Sequence, residues 1–247
     1  MEPQDAVTVR KESRYRAVVQ LVLITACSIP VLTLSNLPAA PQEGRATARP
    51  AASTLARPTS VPKPTDAGGF VQRWLLLEPI RVSGQLTEAA VRTAVEKDFP
   101  VAATPLPHDR DTLTAGGNEL AWHAVDTVHY NVNLYHFAYA LNKPTTNVLF
   151  WAVTIVNSPR ELRDVRLAIG SNAASVWWVN GKEATALYND RQAVIDDGVS
   201  KRLTLNKGPN VIRAAIVNAG GATDFCARFL DENDRPITTL STTLPHQ

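Results

Sequence analysis

Three histidines within fourteen residues are the first candidates for a chemical site. His123, His129 and His136 lie near Asp126, and imidazole and carboxylate groups are common ligands of zinc. Their spacings are six and seven residues, so on straight strands His123 and His129 would share a face that His136 opposes. This spacing does not bring three ligands together. We therefore predict exposed or hydrogen-bonded histidines and no metal site.

Ser200 and the pair Asp196 and Asp197 are the other residues whose type could serve catalysis. Ser200 follows Gly198 by two positions, but Arg202 stands where a nucleophile elbow has its second glycine. The two aspartates could supply half of an acid/base pair, although with Gly198 they equally fit a turn. The sequence has no zinc-protease, phosphate-loop or dinucleotide motif. We predict no catalytic residue and no cofactor.

Aromatic residues are the remaining candidates for a binding surface, because exposed rings stack on sugars or anchor protein partners. Trp177 and Trp178 are adjacent, so on a strand one would enter the core and the other could face solvent. Four more aromatic residues lie on one nearby stretch: Trp122, Tyr130, Tyr135 and Tyr139. Core packing is the alternative role for each of them. From these residues we select Trp122, Tyr135 and Trp178 as candidate ligand-binding residues.

The elements that must position these residues are short strands. Residues 70–77 form a strand-like apolar run, and residues 86–99 repeat apolar residues at i+4, as a helix does. Further candidate strands are separated by turn residues: 120–125, 134–140, 147–157, 163–170, 174–180, 182–188, 199–205, 210–218 and 223–231. Asn180 and Gly181 favour the positive φ angles of a tight hairpin turn. The pattern predicts an all-β sandwich or barrel with one short helix.

Two segments resemble galactose-binding-like jelly-roll domains, the carbohydrate-binding-module type found in exported bacterial proteins. They are VRLAIGSNAASVWWVNGKE at 165–183 and VSKRLTLNKGPNVIRAAIVNAGGATDFCARFLD at 199–231; the run after Trp74 resembles the first strand of such domains. The resemblance implies a jelly-roll β-sandwich over residues 69–245. Asn172 and Ala173 replace the acidic pair of the family's turn, which argues against a calcium site there. Glu78 replaces a glycine of the family pattern.

Composition excludes several classes of protein. The chain has 247 residues, of which 45% are hydrophobic and 19% charged, and a net charge of +2. Two cysteines exclude a disulfide-rich scaffold. Residues 1–68 hold eight Lys or Arg against five Asp or Glu, which leaves the rest of the chain with a net charge of −1. A folded part without a basic excess argues against nucleic-acid binding.

The N-terminal quarter has the pattern of an export signal or anchor. Residues 1–16 form a basic, cytoplasmic segment, and residues 17–35 are uncharged and would span about 29 Å as a helix, close to the bilayer core. We predict an anchor or signal within residues 17–37, in one of three forms: a retained span, a lipoprotein signal with Cys27 as the lipidated residue, or a signal peptide cleaved after Ser35. Residues 38–68, rich in Pro and Ala, are predicted to be a disordered linker.

These observations favour a membrane-anchored protein whose main domain lies outside the cytoplasm, in the periplasm or beyond. We expect a non-catalytic scaffold subunit of a larger envelope protein complex, attached to the membrane through residues 17–35. The alternative is an accessory module that binds carbohydrate, and the second alternative is an enzyme with an unrecognised site. A carbohydrate module would expose two or three coplanar aromatic rings or a concave polar groove, whereas a scaffold would expose an apolar patch of several hundred Å².

Overall fold

Two β-sheets packed face to face form the core of this protein. The computed structural model describes residues 55–98 and 105–245, all within one compact unit. The large sheet has eleven strands and the small sheet has five. The predicted all-β sandwich is confirmed at this level.

The described part of the chain contains sixteen strands and two helices. In chain order they are β1 (Leu55–Ala56), β2 (Lys63–Pro64), β3 (Arg73–Leu77), β4 (Ile80–Arg81), α1 (Glu88–Asp98), β5 (Thr112–Ala115), β6 (Asn118–Thr127), β7 (Val132–Asn133), α2 (Leu134–Ala140), β8 (Val148–Ser158), β9 (Leu162–Ser171), β10 (Ala174–Val179), β11 (Lys182–Leu187), β12 (Gly198–Val199), β13 (Leu203–Leu205), β14 (Gly208–Asn218), β15 (Asp224–Leu230) and β16 (Ser241–Thr243).

The large sheet has the strand order β1-β6-β3-β8-β14-β10-β11, with β2, β4, β5 and β16 attached to its strands. The small sheet has the order β12-β9-β15-β7, with β13 paired to β9.

Three aromatic side chains occupy the space between the two sheets. Trp74 and Trp177 come from the large sheet and Phe225 from the small one, and their ring centroids lie 5.1–6.1 Å apart in edge-to-face contacts. All three rings are inaccessible to solvent. Edge-to-face pairs add to the stability that burial of the rings provides. This cluster therefore joins the two sheets into one core.

The outer face of the large sheet is also covered. Strand β8 is buried along most of its length on both faces, because Phe150 faces the inner core while Trp151 faces a second cluster. Helix α1 contributes Val91 and Val95 to that second cluster. These valines lie on the i+4 stripe that predicted the helix. A strand with both faces covered loses the alternation of polar and apolar residues that marks a half-exposed strand.

The second helix corrects the sequence-based assignment. Residues 134–140 were expected to form a strand, but they form α2. Asn133 caps this helix, since its side-chain oxygen accepts a hydrogen bond from the His136 N–H at 2.7 Å. The buried residues are Leu134, Phe137 and Ala138, which follow the i, i+3, i+4 spacing of a helix. The protein therefore has two helices in its described residues instead of the one that was predicted.

The predicted linker over residues 38–68 is ordered at its C-terminal end. Strand β1 pairs with β6, and β2 pairs with β16. Thr65 is buried and donates a backbone hydrogen bond to Leu240. Edge strands of a sheet offer free backbone groups to any extended segment, and proline is tolerated at such edges. This pairing needs no apolar repeat, which is why the composition of the segment did not reveal it.

The remaining N-terminal predictions lie outside the described residues. These are the cytoplasmic segment 1–16, the anchor or signal within 17–37, Cys27, and the linker up to residue 54. Within the described ranges, neither helix has the length and hydropathy needed to cross a bilayer.

Candidate functional site

Two of the three aromatic residues selected from the sequence are buried. Trp122 is only 1% exposed and Trp178 only 9%. Both belong to the cluster on the outer face of the large sheet, where Trp178 stacks on Trp151 at a centroid distance of 5.7 Å. The expectation that Trp178 faces solvent is wrong, because α1 and its neighbours cover the face on which that side chain lies. Neither tryptophan presents a ring face to a ligand.

Tyr135 is exposed, and a second tyrosine lies beside it. Tyr135 is 37% exposed and Tyr139 is 71% exposed. Their rings are parallel within 8°, with 6.1 Å between centroids. The two rings are therefore stacked side chains on the exposed surface of α2. We refer to Tyr135 and Tyr139 as the tyrosine pair.

The helical conformation of α2 creates this pair. Residues i and i+4 lie above one another on a helix, whereas on a strand they would be about 13 Å apart along the chain direction. Tyr139 was not among the three residues selected from the sequence. The signal that could have identified it is the spacing of the buried residues Leu134, Phe137 and Ala138, which places both tyrosines on the opposite side of the helix.

Polar contacts at both ends attach α2 to the sandwich. At the N-terminal end, the backbone N–H groups of Leu134 and Tyr135 donate to the Thr223 carbonyl at 2.9 and 3.1 Å. At the C-terminal end, the Lys143 N–H closes the last turn of the helix by donating to the Ala138 carbonyl at 2.9 Å, and the Lys143 ammonium contacts the Glu78 carboxylate at 2.8 Å. Buried Phe137 lies between these two ends. The tyrosine pair therefore stands on a rigid base, which reduces the entropy lost when a ligand binds.

An ionic cluster lies next to the buried side of α2. The largely buried Glu78 carboxylate contacts the Lys143 ammonium at 2.8 Å and the His123 Nε2 at 3.3 Å. The His123 ring packs edge-on against Phe137, with 5.6 Å between centroids. Burial by itself raises the pKa of Glu78, but the hydrogen bonds with Lys143 and His123 outweigh it, so the pKa of this carboxyl lies below its usual value. We call Glu78, His123 and Lys143 the ionic cluster.

Polar groups surround the first turn of α2. The Asn131 side chain donates to the Asp224 carboxylate at 2.6 Å, and Asp224 lies directly opposite the helix cap Asn133 in the small sheet. His136 is next to Tyr135, with 6.2 Å between ring centroids. Amide, carboxylate and imidazole groups next to an aromatic surface can form hydrogen bonds with hydroxyl groups of a ligand.

The other residues considered for chemistry have structural contacts. The Ser200 hydroxyl accepts from the Leu167 N–H at 2.9 Å and donates to the Lys201 carbonyl at 2.7 Å. The Asp196 carboxylate binds the Arg228 guanidinium through both oxygens. Asp197 binds Arg191.

The three histidines do not converge in the structure. His123 lies on β6 in the ionic cluster, His129 in the turn after β6, and His136 on α2. Among the residues that the structure describes, no group of three His, Cys, Asp or Glu side chains is arranged to hold a metal ion. At the turn where the family pattern has acidic residues, Ala173 is buried and has a φ angle of 63°.

Comparisons with known proteins give remote structural similarity only. No protein-family model and no curated protein sequence matches this chain. The PA14 sugar-binding domain from an RTX adhesin matches with 11% identity and a TM-score of 0.41, covering 71% of this chain and all of that one. The PA14 domain of the antifreeze protein MpAFP matches with 12% identity and a TM-score of 0.42, covering 78% of this chain and all of that one.

A third solved structure is the epithelial adhesin 9 A domain of Candida glabrata in complex with Galb1-4GlcNAc. It matches with 10% identity and a TM-score of 0.41, covering 74% of this chain and 95% of that one. Similarity at this level assigns neither a family nor a ligand to the protein.

Proposed function

We propose that this protein is a non-catalytic carbohydrate-binding module in which the tyrosine pair on α2 holds the sugar. The observation that carries the proposal is the pair of parallel, exposed rings of Tyr135 and Tyr139, 6.1 Å apart. The C–H-bearing face of a sugar ring packs favourably on an aromatic face, and parallel rings allow one saccharide chain to contact both. The carbohydrate alternative thereby replaces the scaffold role that the sequence first favoured.

The surroundings of the pair support the same function. Sugar hydroxyls need hydrogen-bonding partners, and the side chains of Asn131, His136 and Asp224 lie around the first turn of α2. The rigid attachment of the helix limits the entropic cost of binding. A shallow aromatic surface with a few polar groups fits the recognition of a long polymer better than catalysis in a closed pocket.

We further propose that the domain is a galactose-binding-like jelly roll displayed outside the cytoplasm. The sequence resemblance over residues 165–183 and 199–231 supports the family, and the uncharged segment 17–35 supports export with a retained anchor. Intact-mass measurement of the protein recovered from membranes tests the anchor. A mature chain that starts after Ser35 would exclude a retained anchor, and a lipid mass on Cys27 would identify a lipoprotein.

A binding experiment tests the carbohydrate function. The full 247-residue chain, in mild detergent, is applied to a glycan array, and the strongest ligand is then titrated calorimetrically against Tyr135→Ala and Tyr139→Ala. Loss of one stacking ring is expected to weaken binding about tenfold, while Tyr139→Phe keeps most of the affinity because it keeps the ring.

Tyr130→Ala is the matched control for this experiment. Tyr130 is similarly exposed, but its ring packs on Phe70 and not on the tyrosine pair. Its removal should leave the affinity for the glycan unchanged. The proposal fails if no glycan binds, or if the alanine variants of the tyrosine pair bind as tightly as the wild-type protein. Recovery of a stoichiometric protein partner with no glycan bound would instead favour the scaffold role.

A further inference from the structure

A groove at one open edge of the sandwich is lined by basic and amide side chains. It lies between the hairpin of β10 and β11 on the large sheet and residues 201–206 on the small sheet, and its volume is about 520 Å³. Volumes of about 300–1,000 Å³ are typical of sites for small ligands. Its polar lining residues are Asn180, Lys182, Glu183, Lys201, Arg202, Thr204 and Asn206. We call this the basic groove.

The charge of the basic groove is positive. Lys182 and Lys201 lie on opposite walls, are exposed, and form no ion pair with any described residue. Glu183 is the one acidic residue among the described lining residues, and the Arg92 guanidinium binds both its oxygens at 3.0 and 3.1 Å. Its charge is therefore compensated from outside the groove. Two unpaired ammonium groups facing one cavity create a site for an anion.

Arg202 adds to this positive field and is itself held in place. Its guanidinium donates to the Asp164 carbonyl at 2.5 Å and lies 3.5 Å from the Asp234 carboxylate. Asp234 is shared with Arg166 at 3.4 Å, so this carboxylate offsets the charge of Arg202 only in part. The site therefore combines one fixed cation with two lysines whose ammonium groups can move to meet a ligand.

A buried asparagine holds the two walls of the groove together. Asn210 is inaccessible to solvent, and its side-chain oxygen accepts from the Asn180 side chain and from the Asn206 N–H, both at 2.9 Å. Its amide nitrogen donates back to the Asn206 carbonyl at 2.9 Å. The tip of the β10–β11 hairpin and the turn before β14 are thus joined through one side chain. The groove is formed before any ligand binds, which favours affinity.

We propose that the basic groove binds the carboxylate of an acidic sugar, as a second site separate from the tyrosine pair. Lysine ammonium groups form strong, charge-assisted hydrogen bonds with a carboxylate, and amide and hydroxyl side chains such as Asn206 and Thr204 match sugar hydroxyls. The described lining contains no aromatic ring on which a nucleic-acid base could stack. The choice of an anion rests on the groove itself, and the choice of a saccharide rests on the proposed function.

Calorimetry on the full chain in mild detergent tests this proposal. The probes are tetragalacturonate, a glucuronate-containing tetrasaccharide, neutral maltotetraose and inorganic phosphate. At least one of the two acidic oligosaccharides should bind, with an affinity that falls as salt is added. Lys182→Gln and Lys201→Gln should each weaken that binding about tenfold, and the double variant more strongly.

Lys207→Gln is the matched control, since Lys207 is equally exposed but does not line the groove. It should leave the affinity for the acidic oligosaccharide within about twofold, because it removes one positive charge without removing a group that lines the groove. Tyr139→Ala should also leave this binding intact, so that failure of the tyrosine site and failure of the groove can be told apart.

The proposal is overturned if neither acidic oligosaccharide binds or if the double lysine variant binds as the wild type does. It is also overturned if inorganic phosphate or maltotetraose binds as tightly as the acidic oligosaccharides, because the carboxylate or the sugar would then contribute nothing.

Discussion

Replacing Glu78 by glutamine removes the central charge of the ionic cluster while keeping the shape of the side chain. Glu78 contacts Lys143 at 2.8 Å and His123 at 3.3 Å, and its own side chain is largely buried. Charge-assisted hydrogen bonds contribute about 1.5–3 kcal/mol each when buried. Lys143 and His123 are both about one-third exposed, so water competes for them and the contribution is smaller. We expect Glu78→Gln to lower the free energy of unfolding by about 1–2 kcal/mol at pH 7.

The loss should depend on pH in a defined direction. The pKa of Glu78 lies below its ordinary value of 4.5 in the folded protein. A carboxyl whose pKa is lowered by folding stabilises the protein above its unfolded pKa, and this stabilisation is lost as pH falls through the folded pKa. The difference between wild type and Glu78→Gln should therefore be full at pH 7 and should shrink below about pH 4.5.

Urea denaturation at several pH values measures this effect, and thermal unfolding provides a second readout. A loss of 1–2 kcal/mol corresponds to a fall in Tm of roughly 3–6 °C for a domain of this size. Lys143→Met and the double variant complete a thermodynamic cycle, in which the two changes should be less than additive because they remove the same contact. The reasoning is refuted if Glu78→Gln is as stable as wild type at pH 7, or if its deficit is the same at pH 3.5 and pH 7.

Three further predictions follow from local packing. A Cβ on Gly170 would lie 2.1 Å from the Val194 carbonyl oxygen, so Gly170→Ala should destabilise the protein by about 2–3 kcal/mol in urea denaturation. Burial raises the pKa of the Cys226 thiol to about 12, so in the native protein it should resist alkylation at pH 8 and should react once the protein is unfolded. Asn210→Ala removes a buried amide that joins two turns and should cost about 2–3 kcal/mol, also measured by denaturation.

Each of these predictions has a control. In Gly181→Ala the new Cβ meets no atom within 4 Å, so this variant should lose only about 1 kcal/mol, because of the positive φ angle. If Gly170→Ala loses no more stability than Gly181→Ala, the predicted steric clash at Gly170 is wrong. Alkylation is measured in a Cys27→Ser background, and rapid native labelling there would show that Cys226 is accessible. Asn233→Ala should be nearly neutral, because Asn233 is exposed and its described contact is made by its backbone N–H. If Asn210→Ala is also nearly neutral, the Asn210 side chain does not stabilise the contact between the two turns.

Sequence alone was sufficient for the elements whose signals are local. The apolar runs at 147–157 and 210–218 are the central strands β8 and β14, which pair along their full lengths. Asn180 and Gly181 have φ angles of 50° and 77°, as the predicted tight turn requires. Turn residues and alternating strand residues act through their own backbone and nearest neighbours, so they can be read without knowledge of the rest of the chain.

Helix α2 could not be assigned from local sequence patterns alone. Residues 134–140 contain both an alternating pattern and an i, i+3, i+4 pattern. The helical pattern applies because the helix buries Phe137 and Ala138 in the inner core of the sandwich. The exposed tyrosine pair exists only as a consequence of that choice. Tyr135 could be selected from the sequence, but its partnership with Tyr139 could not.

The sequence by itself determined the sandwich, its central strands, its main turns and the uncharged N-terminal segment, because periodicity and turn chemistry are local properties. Tertiary structure alone decided which aromatic residues are exposed. Trp122 and Trp178 are buried because α1, distant in sequence, covers their face of the large sheet. It also decided that residues from 55 onward pair with the sheet and that Lys182 and Lys201 line one groove. Whether a residue is exposed, and which residues meet at one site, depend on the elements that pack together. These elements can be far apart in the chain, so no local sequence pattern predicts their contact.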